Sequence, residues 1–151
     1  MMPICNLCIL NDIINGLYLT PGNNTRGEHT MEKIKVGIVG GSVNPQSWAI
    51  KSHIPALLHN QYCQLTAVST SSRESAEKAK QVLHIQYGYD NYHSLIKNKN
   101  IDAVVVSVKA PLHYEIIKEA IKNGKHVYSE WPLTNDIHRS QELATMADDA
   151  K

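Results

Sequence analysis

The chain has 151 residues, of which 42% are hydrophobic and 19% charged, and its formal net charge at pH 7 is +1. This length suits one compact domain, and a chain of this size buries roughly two-thirds of the surface that it exposes when unfolded. The balanced charge excludes a strongly basic nucleic-acid binder and an acidic disordered chain. No stretch approaches the run of about 18 apolar residues that a membrane span needs. We therefore expect neither nucleic acid nor a membrane as a direct partner.

Three cysteines are present, Cys5, Cys8 and Cys63. Cys5 and Cys8 form a single C-x-x-C motif with no second pair and no nearby histidine to complete a zinc site. We predict reduced thiols and no metal site, with a metal or redox role for the C-x-x-C pair as the alternative. The odd number favours a reducing compartment, the cytoplasm, or the nucleus if the chain is a regulator.

The first thirty residues differ in composition from the rest. Asn and Asp interrupt a short apolar run at residues 9–19, and residues 21–29 form a polar, turn-rich linker. We predict a poorly structured extension at residues 1–30 and a folded domain at residues 31–151. An N-terminal helix packed on the domain is the alternative.

From residue 34 onward, apolar runs alternate with amphipathic segments. Continuous apolar strands separated by helices are typical of a parallel sheet covered on both faces. The prediction is a single, doubly wound α/β domain of the Rossmann type. Its strands are predicted at residues 34–39, 65–68, 103–108 and 127–129, and its helices at residues 47–59, 72–82, 92–96, 113–122 and 138–150.

In such a sheet, ligands bind beyond the carboxyl ends of the strands, where the strand order reverses. The first predicted strand runs into Gly40, Gly41 and Ser42 and then into a helix, an arrangement that suits a pyrophosphate. Gly40 fits the tight-turn position of the glycine-rich motif. Ser42 stands where a second glycine is usual, and the third small residue is displaced onto Ala49. The alternative is a glycine-rich turn with no ligand.

The end of the second strand bears on the choice of nucleotide, because a carboxylate there would hold the ribose hydroxyls of NAD. This chain has hydroxyl residues followed by Arg73, with no carboxylate before Glu74. A guanidinium binds phosphate through charge-assisted hydrogen bonds. Ser71 and Arg73 therefore favour the 2′-phosphate of NADP over NAD. In the alternative, Ser72 only caps a helix and Arg73 is a solvated residue of its first turn.

Two further loops follow predicted strands, so they lie at the same edge of the sheet. The first contains Lys109, Pro111 and His113, and the second contains Glu130 and Trp131. An Asp-Ala-Val-Val strand, a Pro-x-His loop and a Gly-Lys-His-Val strand ending in Glu-x-Pro occur together, at residues 102–105, 111–113, 124–127 and 130–132.

These segments together resemble the N-terminal domain of the Gfo/Idh/MocA oxidoreductases, from about Lys33 to the end of the chain. The resemblance implies that the first turn holds the pyrophosphate and that the Pro-x-His loop lies near the nicotinamide. It thereby makes Lys109, Pro111 and His113 cofactor-binding candidates, together with Glu130 and Trp131 of the second loop, and places Glu130 at the nicotinamide end. The alternatives are a helix-start histidine bonded to backbone for His113 and a helix cap for Glu130.

This sequence departs from the family at Trp131, which replaces a lysine that the family supplies to the active site. An indole cannot donate the charge-assisted hydrogen bond that an ammonium donates. The replacement is shared with a repressor-like branch of the family, which also resembles residues 47–56. That likeness implies that Trp48 lies near the cofactor, and a core tryptophan is the alternative.

The resemblance also implies a C-terminal substrate domain, which we expect to be missing because the sequence stops at Lys151. Hydride transfer needs a substrate held within about 3–3.5 Å of the nicotinamide. We therefore predict a dinucleotide-binding domain with no catalytic residue of its own and no independent activity, completed by a further domain or a protein partner. The alternatives are an NAD(P)-sensing regulatory module and a truncated product without function.

Overall fold

The structure, a computed structural model, describes residues 32–150, and its centre is a five-stranded parallel sheet. The strand order is β3-β2-β1-β4-β5, so the order reverses at β1, which pairs with β2 on one side and β4 on the other. The strands are β1 (Ile34–Val39), β2 (Cys63–Ser69), β3 (Tyr87–Tyr89), β4 (Ala103–Val106) and β5 (His126–Ser129). This topology confirms the predicted doubly wound sheet. The predictions for residues 1–30, including Cys5 and Cys8, lie outside the described residues.

Helical segments connect the strands. A π-helical turn at Ala49–His53 continues into a short α-helix and forms the first connection. A 3-10 turn at Ala110–Leu112 precedes the helix that follows β4. The α-helices are α1 (Ile54–Leu58), α2 (Arg73–Leu83), α3 (Tyr92–Lys97), α4 (His113–Lys122) and α5 (Ile137–Asp149).

Two apolar layers enclose the sheet, one on each face. On one face, Ile54 of α1 and Ala79 of α2 pack with β1 and β2 residues such as Val36. On the other face, Leu95 of α3 and Ile116 of α4 pack in the second cluster, which Leu143 of α5 joins. Burial of apolar surface on both faces explains why the strands are nearly continuous in hydrophobic residues.

The first helix differs from its prediction. A regular helix over residues 47–59 would place Trp48 and Leu58 on one buried face, yet both are exposed, whereas Ala49 and Ile54 are buried. The backbone N–H of Ile54 donates to the carbonyl of Ala49, five residues earlier, so the turn holds one residue more than an α-helical turn. The extra residue shifts which side chains face the sheet.

The last helix is held by a charged cluster on α4 and α5. Lys118 Nζ donates to Tyr114 Oη at 2.7 Å and to Glu142 Oε1 at 2.8 Å, and Tyr114 Oη donates to Glu142 Oε2 at 2.7 Å. The guanidinium of Arg139 lies 4.8 Å from the centroid of the Tyr114 ring. The hydrogen bonds from Lys118 and then Tyr114 lower the pKa of Glu142. This cluster fixes α5 against α4.

Candidate functional site

The strands are parallel, so the loops after β1, β2, β4 and β5 open at one edge of the sheet, here called the carboxyl edge. The opposite edge, where the strands begin, is the amino edge. The reversal of strand order at β1 separates the loop after β2 from the loop after β4. A ligand crevice is expected at this point in doubly wound sheets.

Two glycines allow the end of β1 to pack closely between its neighbours. Gly40 has φ of +87°, and a Cβ atom there would lie 2.0 Å from the carbonyl oxygen of Ser107. A Cβ atom on Gly41 would lie 2.7 Å from Cγ1 of Val68. Gly40 therefore meets both a conformational and a steric requirement, since φ in this region disfavours residues with a side chain.

The first amides of this loop donate hydrogen bonds within the protein. The N–H groups of Gly40 and Gly41 donate to the carbonyl of Ser69 at 2.9 and 3.1 Å, and the N–H of Ser42 donates to the carbonyl of Gly40 at 2.8 Å. Oγ of Ser42 accepts from the N–H of Asn44 at 3.2 Å. The contacts of Gly40 and Gly41 are thus internal, and a pyrophosphate contact of Gly40, Gly41 and Ser42 stays a prediction.

Trp48 stands at the start of the π-helical turn, and 60% of its accessible surface is exposed. The alternative of a core tryptophan is wrong, because most of the Trp48 surface is exposed, whereas Ala49 and Ile54 of the same segment are buried in the core. Its proximity to a cofactor stays a prediction, and the indole is available at the carboxyl edge.

The loop after β2 presents polar side chains to solvent. Oγ of Ser72 accepts from the N–H of Ser75 at 3.2 Å and so caps α2, as the alternative describes. Ser71 and Arg73 are exposed, and Arg73 is the first residue of α2. Within residues 32–150, no carboxylate forms an ion pair with Arg73. The guanidinium is therefore free to meet an anion at this edge.

Glu130, directly after β5, connects three segments of the chain. Its Oε1 lies 2.7 Å from Nε2 of His53 and accepts a hydrogen bond from Oγ of Ser107 at 2.7 Å. The His53 and Glu130 side chains are only 12% and 24% exposed. The partners of Glu130 are a ring and a hydroxyl, not helix amides, so the helix-cap alternative is wrong.

His113 is 1% exposed at the start of α4. Its Nδ1 lies 3.0 Å from the carbonyl oxygen of Pro132, and its Nε2 lies 2.8 Å from that of Val108. The backbone-bonded alternative therefore describes its contacts. The ring ties the loop after β4 to the turn after β5, and a position near the nicotinamide stays a prediction.

The remaining candidates are open to solvent. Lys109 and Pro111 are exposed in the loop after β4, and Trp131 is 85% exposed after β5. His53 and Ser107 belong to the same edge, although neither is among the sequence's cofactor-binding candidates. The available signal for Ser107 is a hydroxyl residue directly after a buried strand. The sequence places His53 near the site, in the segment of residues 47–56, but does not predict its contact with Glu130.

In the part of the chain that the structure describes, no group of three or more His, Cys, Asp and Glu residues is arranged to hold a metal ion. None of the helices within residues 32–150 combines the length and apolar character needed to cross a bilayer.

Comparison with known proteins identifies the relatives of this fold. The family model described as "Oxidoreductase family, NAD-binding Rossmann fold" matches residues 34–151. Dehydrogenase aclE of Aspergillus oryzae is 40% identical over 122 residues, which cover 77% of this chain and 33% of the relative. The galactose/lactose metabolism regulatory protein GAL80 of Kluyveromyces lactis is 32% identical over 124 residues, which cover 76% of this chain and 27% of the relative.

Solved structures agree with these relatives. The 3-ketoreductase KijD10 from Actinomadura kijaniata, in complex with NADP and TDP-benzene, superposes with a TM-score of 0.72 at 28% identity, covering 79% of this chain and 35% of that one. A scyllo-inositol dehydrogenase from Lactobacillus casei, with bound NAD(H) and scyllo-inositol, gives a TM-score of 0.69 at 25% identity and covers 79% of this chain and 34% of that one.

This chain spans about a third of the length of these relatives, 33% for the dehydrogenase and 27% for the regulatory protein. The family match and the structural neighbours favour the nucleotide-binding domain of an oxidoreductase over the regulatory module, although one relative is a regulator. The resemblance found in the sequence is thereby confirmed. Residues 34–151 are an NAD-binding Rossmann domain, and the chain belongs to the Gfo/Idh/MocA oxidoreductase family.

Proposed function

We propose that the chain binds NADP(H) more tightly than NAD(H), with the dinucleotide lying across the carboxyl edge at β1. The observation that carries the preference is the loop after β2, where Arg73 is exposed and free of ion pairs among the described residues. A guanidinium and the Ser71 hydroxyl suit a 2′-phosphate, whereas NAD binding favours a carboxylate at this place.

The other half of the dinucleotide is proposed to lie over the loops after β4 and β5. We assign the pyrophosphate to the segment that begins with Gly40, Gly41 and Ser42, with Trp48 beside it. The nicotinamide end is assigned to Lys109, Pro111, His113, Glu130 and Trp131. When bound, the nicotinamide ring supplies or accepts a hydride. The protein's part is to hold that ring at the open edge, with His113 fixing the two loops to each other.

The open edge also bears on the substrate. Leu112, Trp131 and Ile137 are large hydrophobic side chains that are exposed after β4 and β5. Groups of exposed apolar side chains that form a contiguous patch mark surfaces that another domain or protein covers. We propose that a further domain or a protein partner covers this edge and holds the substrate, because hydride transfer requires a substrate placed close to the nicotinamide.

The test is a calorimetric titration of the chain with NADP(H) and NAD(H), repeated with Arg73→Ala. We expect tighter binding of NADP(H), and a loss of about 1 kcal/mol, or roughly fivefold in Kd, for NADP(H) alone in the variant. Lys78→Ala is the matched control, because Lys78 is an exposed cation further along α2.

Two outcomes would contradict the proposal. Equal weakening of both nucleotides by Arg73→Ala would mean that the arginine does not contact the 2′-phosphate. No binding of either nucleotide by folded wild-type protein would refute nucleotide binding itself.

A further inference from the structure

The two oxygens of the Glu130 carboxylate differ in their hydrogen bonding within the described residues: Oε1 has two partners and Oε2 has none. Oε1 is shared by the His53 ring and the Ser107 hydroxyl, at 2.7 Å each. Within the described residues, no protein donor reaches Oε2, and no buried side-chain oxygen there lacks a partner. Oε2 therefore reaches solvent at the carboxyl edge as an unused hydrogen-bond acceptor.

His53 is itself held in place. Its ring packs edge-on against Tyr128, with a centroid separation of 5.7 Å and an interplanar angle of 73°. His53 comes from the π-helical turn after β1, whereas Glu130 follows β5, 77 residues later. The pair thus links the segment between β1 and β2, which contains the glycine turn, to the loop after β5, which contains Trp131.

A glutamate fixed in this way is preorganised to accept a hydrogen bond from a ligand. A free glutamate side chain loses about 1.5–2 kcal/mol of rotamer entropy when it is immobilised. Two donors on Oε1 meet part of that loss before any ligand arrives, which is the benefit of preorganisation. They also fix the direction of Oε2, because both oxygens belong to one planar group.

We propose that His53 is a positioning residue for the dinucleotide. By holding Oε1 of Glu130 together with Ser107, it aims Oε2 at a donor on the nicotinamide riboside half, either a ribose hydroxyl or the carboxamide N–H. This inference rests on the proposed nucleotide binding and goes beyond it, because it assigns a role to a residue that touches no part of the ligand.

The test separates the two halves of the ligand. NADPH carries the nicotinamide riboside, whereas 2′-phospho-ADP (adenosine 2′-phosphate 5′-diphosphate) lacks the whole nicotinamide riboside but keeps the adenosine 2′-phosphate. His53→Leu, which removes the ring donor, should weaken NADPH binding about fivefold to tenfold and change 2′-phospho-ADP binding by less than about twofold. His53→Gln, whose amide can still donate to Glu130, should recover most of the loss.

A second His–Glu pair provides the matched control. His93 Nδ1 lies 2.6 Å from Glu119 Oε2, a contact between α3 and α4, and neither residue belongs to the loops after β1, β4 and β5 to which the nicotinamide half is assigned. His93→Gln should alter the affinity for neither ligand. If His53→Leu fails to fold by circular dichroism, Ser107→Ala removes the other donor to Oε1 and should weaken NADPH selectively by about twofold to threefold.

The unfavourable outcomes are distinct. Equal loss of both ligands in His53→Leu, or no loss of either, would overturn the positioning role and leave nucleotide binding in place. Equal affinity of the wild-type protein for NADPH and 2′-phospho-ADP would overturn it as well, because the nicotinamide riboside would then contribute nothing. Absence of binding of both ligands to folded wild-type protein would overturn the inference and the proposed function together.

Discussion

At the amino edge of the sheet, Lys125 and Asn60 bond the backbone of nearby loops, whereas at the carboxyl edge Glu130 bonds side chains from two other connections. Lys125 Nζ donates to the carbonyls of Asn98 and Ile101 at 2.9 and 2.7 Å. Asn60 Oδ1 accepts from the N–H groups of Tyr62 and Cys63 at 2.7 and 3.1 Å. These contacts complete the backbone hydrogen bonding of the loops that enter the strands.

At the carboxyl edge, by contrast, some side-chain groups remain available to a ligand. Glu130 shares one oxygen between His53 and Ser107 and keeps the other open. Beside it, Trp131 exposes 85% of its surface. The comparison shows that similar polar residues serve the fold at one edge and remain available for a ligand at the other. Changes at the amino edge should therefore affect stability alone, whereas changes at the carboxyl edge should also affect binding.

The largest effect is expected for Gly40→Ala. The added Cβ would lie 2.0 Å from the Ser107 carbonyl oxygen, at φ of +87°. We expect the free energy of unfolding to fall by roughly 3 kcal/mol or more, and NADP(H) binding to weaken with it. Urea denaturation followed by circular dichroism measures the first effect, and calorimetric titration measures the second.

Gly124→Ala is the matched control for that change. Gly124 also has positive φ, +66°, but a Cβ there would meet no atom within 4 Å. Only the backbone cost of about 1 kcal/mol is expected, with nucleotide affinity unchanged. Equal destabilisation by the two variants would show that the approach of β1 to the loop after β4 is not tight.

A smaller effect is expected at the amino edge, for Lys125→Met. The variant leaves the carbonyls of Asn98 and Ile101 without their ammonium donor. Unfolding free energy should fall by about 1–2 kcal/mol, while NADP(H) affinity stays the same. Urea denaturation and titration on the same sample measure both, with Lys99→Met, an exposed lysine in the loop before β4, as the control. A change in affinity would break the division between the two edges.

The smallest effect is expected on the stability of α5 when the pH is lowered. Hydrogen bonds from Lys118 and Tyr114 lower the pKa of Glu142, and the backbone amides of Arg139 and His138 lower the pKa of Asp136. A carboxyl whose folded pKa is lowered stabilises the fold above its unfolded pKa, and that stabilisation is lost as pH falls through the folded pKa. We expect α5 to loosen below about pH 4, whether or not nucleotide is bound.

Hydrogen exchange of the α5 amides as a function of pH measures this loosening. Glu142→Gln removes one of the two titrating groups, so the dependence of α5 protection on pH should become shallower. An unchanged pH dependence in this variant would show that the contact between Glu142 and Lys118 does not hold the helix.

Local pattern predicts much of the fold. The predicted bounds of β1 and of α4 match the structure, because each is a strongly periodic or continuous apolar segment with clear ends. Strand β3, Tyr87–Tyr89, is absent from the predictions, since three residues with a central glycine give no apolar run. It forms because Ala67–Ser69 of β2 offers it a parallel partner, which is a tertiary cause.

For the site too, local sequence pattern predicts some features, whereas others depend on tertiary contacts. Loops after parallel strands must share one edge, so the sequence alone places Gly40, Arg73 and Glu130 together. The contact between His53 and Glu130 joins residues 77 apart in the sequence. This contact depends on which residues of the first helix face the sheet. A regular period of 3.6 residues per turn predicts the wrong residues there, because the turn is π-helical. That is why the sequence predicts the location of the site better than its contacts.

The π-helical turn bears on how this chain is aligned with other proteins. A turn of this kind is equivalent to the insertion of one residue into an α-helix. An alignment with a protein that has a regular first helix therefore needs a one-residue gap within Ala49–His53. Without that gap, every later position of the helix would be matched to a residue on a different face. A comparison of His53 across distant sequences would then miss its counterpart even where the same contact exists.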